Sequence, residues 1–404
     1  SFKFFFNGRT AYLYGCAMAI STLWEQLFTQ RRQAKLQTEL DSEPSVCLVT
    51  QLSADRLDRL EAVCSRWRGP LAAVVLGDER SISKLRKRCQ QLCNTSSQGQ
   101  VALRLVKAAS AKDYYPVNAM RNSAMALAAP HQFVLVADVD LLPSKGLLEA
   151  ISLHTTLATW LGPSSSLRGS PLAALVVPTL EPTSENSPIP DEFDVTHARS
   201  AVRAGTWQPF CWTNFPAGHR ATDFERWLHA TDNYAYGPVD YQEGFEPFCV
   251  LPRECVPPFD ERFSGYGRNK CLFYLHLHAL GCAFYVLTGG CLVHKPHPPS
   301  SSFHATFGEP SVRNPNRAIE IKKMYEQAKS DMISGGPRLI YNVDMLGKGS
   351  VARKELERAG NVQDISVASR STAGNIDGRD EQCRLAAEQR LCLHGSVAKK
   401  PTAC

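Results

Sequence analysis

No run of five or six like charges interrupts the 404 residues, and only 21% of them are charged. The net charge of +6 is spread rather than blocked. It suits an anionic ligand; without an RNA-binding motif or zinc-finger spacing it does not argue for nucleic acid. No internal repeat is present, which excludes solenoids and propellers. No apolar stretch reaches the ~20 residues of a membrane span. The nearest, Thr10–Trp24, is uncharged but only about 15 residues long, between Arg9 and Glu25. Two readings of it stand: a short signal-anchor helix of a secretory-pathway enzyme, or an amphipathic or buried helix. The 14 cysteines contain no CxxC pair; Cys89 and Cys93 come closest. That count is high for a cytosolic enzyme of this size, and it reads as core or disulfide cysteines of an oxidising compartment. One glycosylation sequon, Asn94-Thr95-Ser96, agrees with that setting.

What is present is ordinary for a globular chain. Hydrophobic residues make up 44%, enough to bury a core and to exclude global disorder. Residues 1–44 read as a leader whose second half is polar and stem-like. At Ser45 the texture changes. "VCLVTQLS", "LAAVVLGD", "VALRLVKA" and "QFVLVADVD" are apolar strand-like runs, and stretches with helical spacing separate them. The first of these helices spaces Leu57, Leu60 and Val63; the second has Ser81 as a cap; the third has Pro116 in its first turn. Strands and helices alternating at these lengths predict an α/β fold around a mostly parallel sheet. "LAALVVPTL" predicts another strand. Residues 205–270 are aromatic-rich and suit a substrate-binding lobe. "LFYLHLHALG" predicts a helix ending at Gly281, and "AFYVLTGGCLVH" two strands around a Gly-Gly turn. From Lys329 to the end the chain is polar, with a helix or two and then a weakly ordered extension expected. The organisation read from this is 1–44 leader, 45–328 folded domain and 329–404 extension.

Four places carry candidate chemistry. Asp138 and Asp140 end the fourth strand, at the edge where open α/β sheets bind ligands. On a continuing strand they would face one side. Two such carboxylates can hold Mn²⁺ or Mg²⁺, hard cations that also bind phosphates; a capped turn before Pro143 is the alternative. Asn118, Arg121 and Asn122 share one face of the preceding helix and suit a nucleotide or sugar, or else a solvated face. In "CLVHKPHPPS", His294 ends a strand and becomes a candidate ligand only if that strand returns to the Asp138–Asp140 edge; His297, between prolines, reads as structural. In "PPFDERFSGYGRNK", Asp260 and Glu261 precede a Gly-Tyr-Gly turn and could serve acid–base chemistry; a structural loop with an Asp–Arg pair is the alternative.

Taken in order, "VCLVTQLSADRLDRLEAVCSRWRGPLAAVVL", "YYPVNAMRNSAMALA", "FVLVADVDLLPS", "ALVVPTLE", "GHRATDFERW", "FEPFCVL", "FDERFSGYGRNK" and "FYVLTGGCLVHKPHPPS" resemble glycosyltransferase family 49. That is the family of the LARGE C-terminal catalytic domain and of β-1,4-glucuronyltransferase 1. The resemblance covers roughly Ser45 to Tyr325. It implies a GT-A fold, a Rossmann-like sheet with an appended acceptor-binding lobe. It implies a UDP-sugar donor, a glycan or glycoprotein acceptor, an inverting transfer, and Mn²⁺ (or Mg²⁺) held by Asp138, Asp140 and His294. Thr50 and Gln51 are expected near the uridine, and Asn118, Arg121, Asn122, Lys295 and Arg268 near the phosphates or a uronate carboxylate. Several other inverting GT-A enzymes have a Glu-Asp pair where this chain has Asn269-Lys270. The general base is therefore left among Asp260, Glu261, Glu246 and Asp223. A Golgi setting, as a type II membrane protein anchored through the leader, follows from the same resemblance. The rival reading from another class is a catalytically inactive, glycan-binding relative. A DxD phosphatase would need a downstream Lys and paired acids that the sequence does not offer.

Overall fold

The structure, a computed structural model, describes residues 45–78, 82–95, 101–107, 114–156, 172–184, 187–231, 235–335 and 363–366. The chain divides after Pro44 into two units, and every described residue lies in the second. Thr10–Trp24, Ser81 and most of the polar extension lie outside the described residues.

The four apolar runs form β1 (Val46–Ser53), β2 (Leu71–Gly77), β3 (Val101–Lys107) and β4 (Phe133–Val136). β1 and β2 are buried along most of their length, as expected of parallel strands covered by helices on both faces. Helices α1 (Leu57–Arg66), α2 (Ile82–Thr95) and α3 (Val117–Leu127) connect them. α1 turns Leu57, Leu60 and Val63 into the core, one face of a 3.6-residue period. β1 sits between β2 (Thr50 opposite Ala73) and β4 (Val49 opposite Val136), all parallel. Beyond β4 lie antiparallel β10 (Phe248–Pro252), then β6 (Ala173–Val177) and β11 (Ala283–Leu287) parallel to each other, and antiparallel β9 (Ala235–Val239). At the other edge β13 (Gln363–Ser366) pairs antiparallel with β3, so the polar extension contributes a strand. The described residues thus form a nine-stranded mixed sheet in which most strands run one way.

A second sheet decides where the site lies. It has four strands: β5 (Leu141–Pro143), β12 (Leu292–His294), β7 (Thr179–Pro182) and β8 (Trp207–Pro209), in that order. β5, β7 and β12 each follow a strand of the large sheet, β4, β6 and β11, after a few residues. The small sheet is therefore built from the chain leaving the C-terminal ends of those strands. Two expectations are corrected here. "LAALVVPTL" is not one strand: Pro178, which has no N–H to donate, separates β6 from β7, and its carbonyl accepts from Leu292 N–H at 2.9 Å. "AFYVLTGGCLVH" is not a hairpin, since β11 and β12 belong to different sheets. Gly290 is needed for close packing rather than for a turn: a Cβ there would lie 2.6 Å from Leu147 Cδ1 and 3.3 Å from its Cα.

The remaining helices are α4 (Leu147–Thr156), α5 (Val195–Arg203), α6 (Phe224–His229), α7 (Asn269–Ala279), α8 (Ser301–Phe307) and α9 (Arg317–Gly335). Phe263, Cys271 and Leu272 cluster with Ile321, Tyr325 and Met332, packing α9 on α7. Met332 is buried there, so the domain edge expected at Lys329 falls inside a packed helix. Among the described residues Cys47, Cys211, Cys249, Cys271, Cys282 and Cys291 are free thiols, and all but Cys211 are buried. These act as core cysteines rather than as disulfides. No described helix is long and apolar enough to cross a membrane.

Candidate active site

β4 ends at Val136, before the aspartates are reached. Asp138 to Asp140 form a turn, closed by Leu141 N–H donating to the Asp138 carbonyl at 3.1 Å, and β5 follows. The common orientation expected from a continuing strand does not apply, and each carboxylate has its own cations. Asp138 is half-buried and accepts from Arg121 Nη2 and Lys270 Nζ, both at 3.0 Å. Burial alone would raise its pKa, but Lys270 and Arg121 outweigh that and hold it well below the usual carboxylate range. Asp140 is buried. Its Oδ2 meets Arg56 Nη1 at 2.5 Å and His297 Nε2 at 3.3 Å. Arg59 Nε lies 3.1 Å from Oδ1 but is not aligned for a hydrogen bond, so this buried oxygen has no hydrogen-bond donor.

The strand carrying His294 does return to this edge. β12 pairs antiparallel with β5, with His294 opposite Leu141 and Val293 opposite Leu142. Lys295 N–H then donates to the Asp140 carbonyl at 2.8 Å. His294 is neutral near pH 7: burial, partly offset by Asp140, brings its pKa down to about 4. His297 moves the other way, raised chiefly by its hydrogen bond to Asp140.

Other expected residues divide into those the fold gathers here and those it does not. Arg121 is buried under the site, its guanidinium forking to Asp138, Asn118 Oδ1 (3.1 Å) and Asn269 Oδ1 (2.8 Å), over the Phe259 ring. Asn118 and Asn122 spend their amides on the 259–261 loop. Asn118 donates to the Asp260 carbonyl at 2.7 Å; Asn122 donates to the Phe259 carbonyl at 2.9 Å and accepts from its N–H at 2.8 Å. The shared helix face is thus an internal clasp rather than a solvated surface. Thr50 and Gln51 lie inside β1, which runs on to Ser53. Thr50 Oγ1 is buried without a partner, and Gln51 accepts from the Tyr115 hydroxyl. Arg268 is turned away, its guanidinium 4.8 Å from the centre of the Tyr325 ring on α9.

The four candidate bases are similarly separated. Asp260 is held by Arg262, with contacts of 3.0, 3.0 and 2.5 Å. Glu261 accepts from Asn122 at 2.9 Å. Asp223 is an exposed helix cap with φ 54°, accepting from Arg226 N–H. Glu246 is half-buried and accepts from the Cys271 thiol at 3.1 Å. Together with Asp138 it raises the pKa of Lys270 against the opposing effect of burial. Glu246 is therefore electrostatically coupled through Lys270 to the Asp138 side of the site.

Two cations were not anticipated. Arg56 and Arg59 stand at i and i+3 beside the start of α1, the first helix after β1. That spacing on one helical face was the available signal. Arg59 also donates to the Lys295 carbonyl at 2.8 Å and the Pro296 carbonyl at 3.1 Å, tying α1 to the segment after β12. With Arg121 and Lys270 these arginines outnumber the two carboxylates, so the site is net positive and suits a polyanion. Among the described residues no three His, Cys, Asp or Glu side chains converge closely enough to hold an ion.

The family model described as glycosyl-transferase for dystroglycan matches residues 75–329. Xylosyl- and glucuronyltransferase LARGE2 of Rattus norvegicus is 32% identical over 275 residues, 68% of this chain and 38% of its own length. Xylosyl- and glucuronyltransferase LARGE1 of Mus musculus is 30% identical over 314 residues, 76% of this chain and 38% of its own. The chain thus spans well under half the length of these relatives. A crystal structure of GalNAc-T7 with UDP, GalNAc and Mn²⁺ aligns with TM-score 0.36 and 10% identity, over 78% of this chain and 55% of that one. The chain belongs to the family described as glycosyl-transferase for dystroglycan.

Proposed function

We infer that the chain transfers a sugar, glucuronic acid being the first candidate, from a UDP-linked donor to a glycan acceptor. The observation that carries this reading is the β12–β5 register. It sets His294 beside the Asp138–Asp140 turn, where the parallel strands end, in net-positive surroundings. The names of the xylosyl- and glucuronyltransferase relatives support it.

The donor types suit a divalent cation, although in this structure the three side chains do not converge on one point. His294 is a neutral imidazole, Asp138 is ionised, and buried Asp140 Oδ1 has no hydrogen-bond donor. Asp138, Asp140 and His294 would hold it. When bound, it supplies Lewis-acid neutralisation of the leaving diphosphate. Arg56, Arg59 and Lys295 line the same edge and would bind the remaining phosphate charge or a uronate carboxylate. Arg121 and Lys270 orient Asp138.

The acceptor hydroxyl oxygen bonds to the anomeric carbon from the face opposite the leaving group. The bond from that carbon to the diphosphate oxygen breaks, and its electron pair leaves with UDP. The hydroxyl proton passes to a carboxylate, and Glu246 suits this role best. Asp260 is committed to Arg262 and Asp223 to its helix, whereas Glu246 is coupled through Lys270 to the DxD turn. The secretory-pathway setting, with an anchor in Thr10–Trp24, belongs to the same reading and rests on the sequence alone. A screen of UDP-sugars for UDP release with Mn²⁺ or Mg²⁺ tests it. Release from one or a few donors is expected. Glycan binding without turnover of any donor would leave the inactive relative as the reading.

A further inference from the structure

Around Glu246 the fold leaves an aromatic surface that no part of donor binding uses. The loop from Phe210 to His219 forms it. Phe210 anchors the loop, its ring 4.9 Å from the His294 ring and 5.4 Å from the His219 ring. Cys211 follows in the left-handed region, φ 54°, an uncommon state for a residue with a side chain. Its carbonyl accepts from Phe215 N–H at 2.8 Å. The loop therefore folds back and presents Phe215, which is 39% exposed; Trp212, three residues earlier, is 40% exposed.

Phe215 lies on bare backbone. A Cβ on Gly218 would come 2.9 Å from Phe215 Cδ1, and one on Gly244 would come 3.3 Å from Phe215 Cζ. The Gly218 position is also 3.4 Å from Glu246 Cγ, and Glu246 N–H donates to the Gly218 carbonyl at 2.9 Å. The ring and the carboxylate thus rest on the same glycine. Any side chain at Gly218 would push the ring away from Glu246. Scattered exposed hydrophobics need no explanation. A large ring seated on two glycines, beside a carboxylate and on a strained loop anchored to the candidate site, does need one. Aromatic faces bind the C–H face of pyranose rings, combining apolar burial with the ring's negative face.

We propose that Phe215 is the shelf on which the acceptor sugar ring stacks, with one of its hydroxyls turned to Glu246. This deepens the transferase reading and rests on it. The ligand class is a pyranose at the acceptor end of a glycan, held by its ring face. Phe215 is a positioning residue for the acceptor and has no part in holding the donor.

The test uses Phe215→Leu and Phe215→Tyr in the full chain. Leu keeps an apolar cover on Gly218 and Gly244 but has no π face; Tyr keeps the face. Binding is read by saturation-transfer difference NMR with a panel of methyl pyranosides, so no catalysis is needed. Saturation of ring C–H protons is expected with the wild type and Phe215→Tyr, and its loss with Phe215→Leu. Where transfer is measurable, Phe215→Leu should raise the acceptor KM by about tenfold, leaving UDP release without acceptor unchanged. Equal saturation in wild type and Phe215→Leu, or no saturation with any glycoside, overturns the shelf. A parallel fall in acceptor-free UDP release also overturns it, because Phe215 would then be structural. Saturation lost in Phe215→Leu, but with no UDP-sugar turned over by wild type, would keep the shelf and reject the transferase reading.

Discussion

Replacing Arg121 by Met separates a donor-binding residue from a buried support. The Met side chain fills much of the stem volume and lies over Phe259, so the change chiefly removes the guanidinium. Three acceptors lose a donor: Asp138 Oδ1, Asn118 Oδ1 and Asn269 Oδ1, at 3.0, 3.1 and 2.8 Å. A hydrogen bond from a charged donor is worth about 1.5–3 kcal/mol. The Asp138 share must be discounted, since that side chain is 32% exposed and keeps Lys270; about 1 kcal/mol is reasonable there. Asn118 is fully buried and its carbonyl oxygen has no water to turn to, which costs about 1–2 kcal/mol. Asn269 is half-buried and adds less. These terms share one network and do not add fully, so the loss should be about 3 kcal/mol. For a domain of this size that is a fall in Tm of roughly 6–12 °C. Urea and thermal unfolding followed by circular dichroism read it directly. Arg121→Lys keeps the charge but cannot fork to three acceptors, and should fall in between. A loss below about 1 kcal/mol for Arg121→Met would refute the support role and return Arg121 to the donor-binding set.

Three further outcomes are expected. Burial brings the pKa of His219 down to about 3, against 6.5 in an unfolded chain, so between those values the unfolded state binds the extra proton. The stability due to neutral His219 is complete above pH 6.5 and falls by about 1.4 kcal/mol per unit as pH drops, or ~2 kcal/mol by pH 5; His219→Gln should flatten unfolding curves across that range, and an unchanged slope would contradict the assignment. Asn122→Ala removes the two-way bond to the Phe259 backbone, which should cost about 1–3 kcal/mol and speed amide exchange at Phe259 relative to α3. Glu246→Gln removes the proposed proton acceptor, so transfer should fall by about 10²–10⁴ with UDP affinity unchanged; transfer at the wild-type rate would move the base to another carboxylate.

The local pattern of the first half was legible. The apolar runs became β1 to β4, and the spacing of Leu57, Leu60 and Val63 marked the inward face of α1. What local pattern could not carry was the second sheet. Short strands that leave one sheet and pair in another look like continuations or hairpins, as "LAALVVPTL" and "AFYVLTGGCLVH" did. Their partners lie more than 100 residues away in the case of β5 and β12. The candidate site was half legible. Asp138, Asp140 and His294 were named, and the fold puts them at one edge. Arg56 and Arg59 were overlooked because a basic pair on a helix usually reads as a solvated face, and nothing local says that Asp140 will fold against it. Asn118 and Asn122 illustrate the converse. Buried amides resemble ligand-binding groups in sequence, yet they satisfy the backbone of a loop more than 130 residues on.

If Asp138, Asp140 and His294 together serve a divalent cation and a nucleoside diphosphate, each should affect how Mn²⁺ binds. Titration of Mn²⁺ into the full chain with UDP present, followed by electron paramagnetic resonance, tests it without a sugar or an acceptor. The wild type should bind Mn²⁺ more tightly with UDP than without. Asp140→Asn and His294→Ala should each weaken that binding by tenfold or more. Equal Mn²⁺ affinity in the wild type and both variants would rule out a shared cation and diphosphate site at these residues.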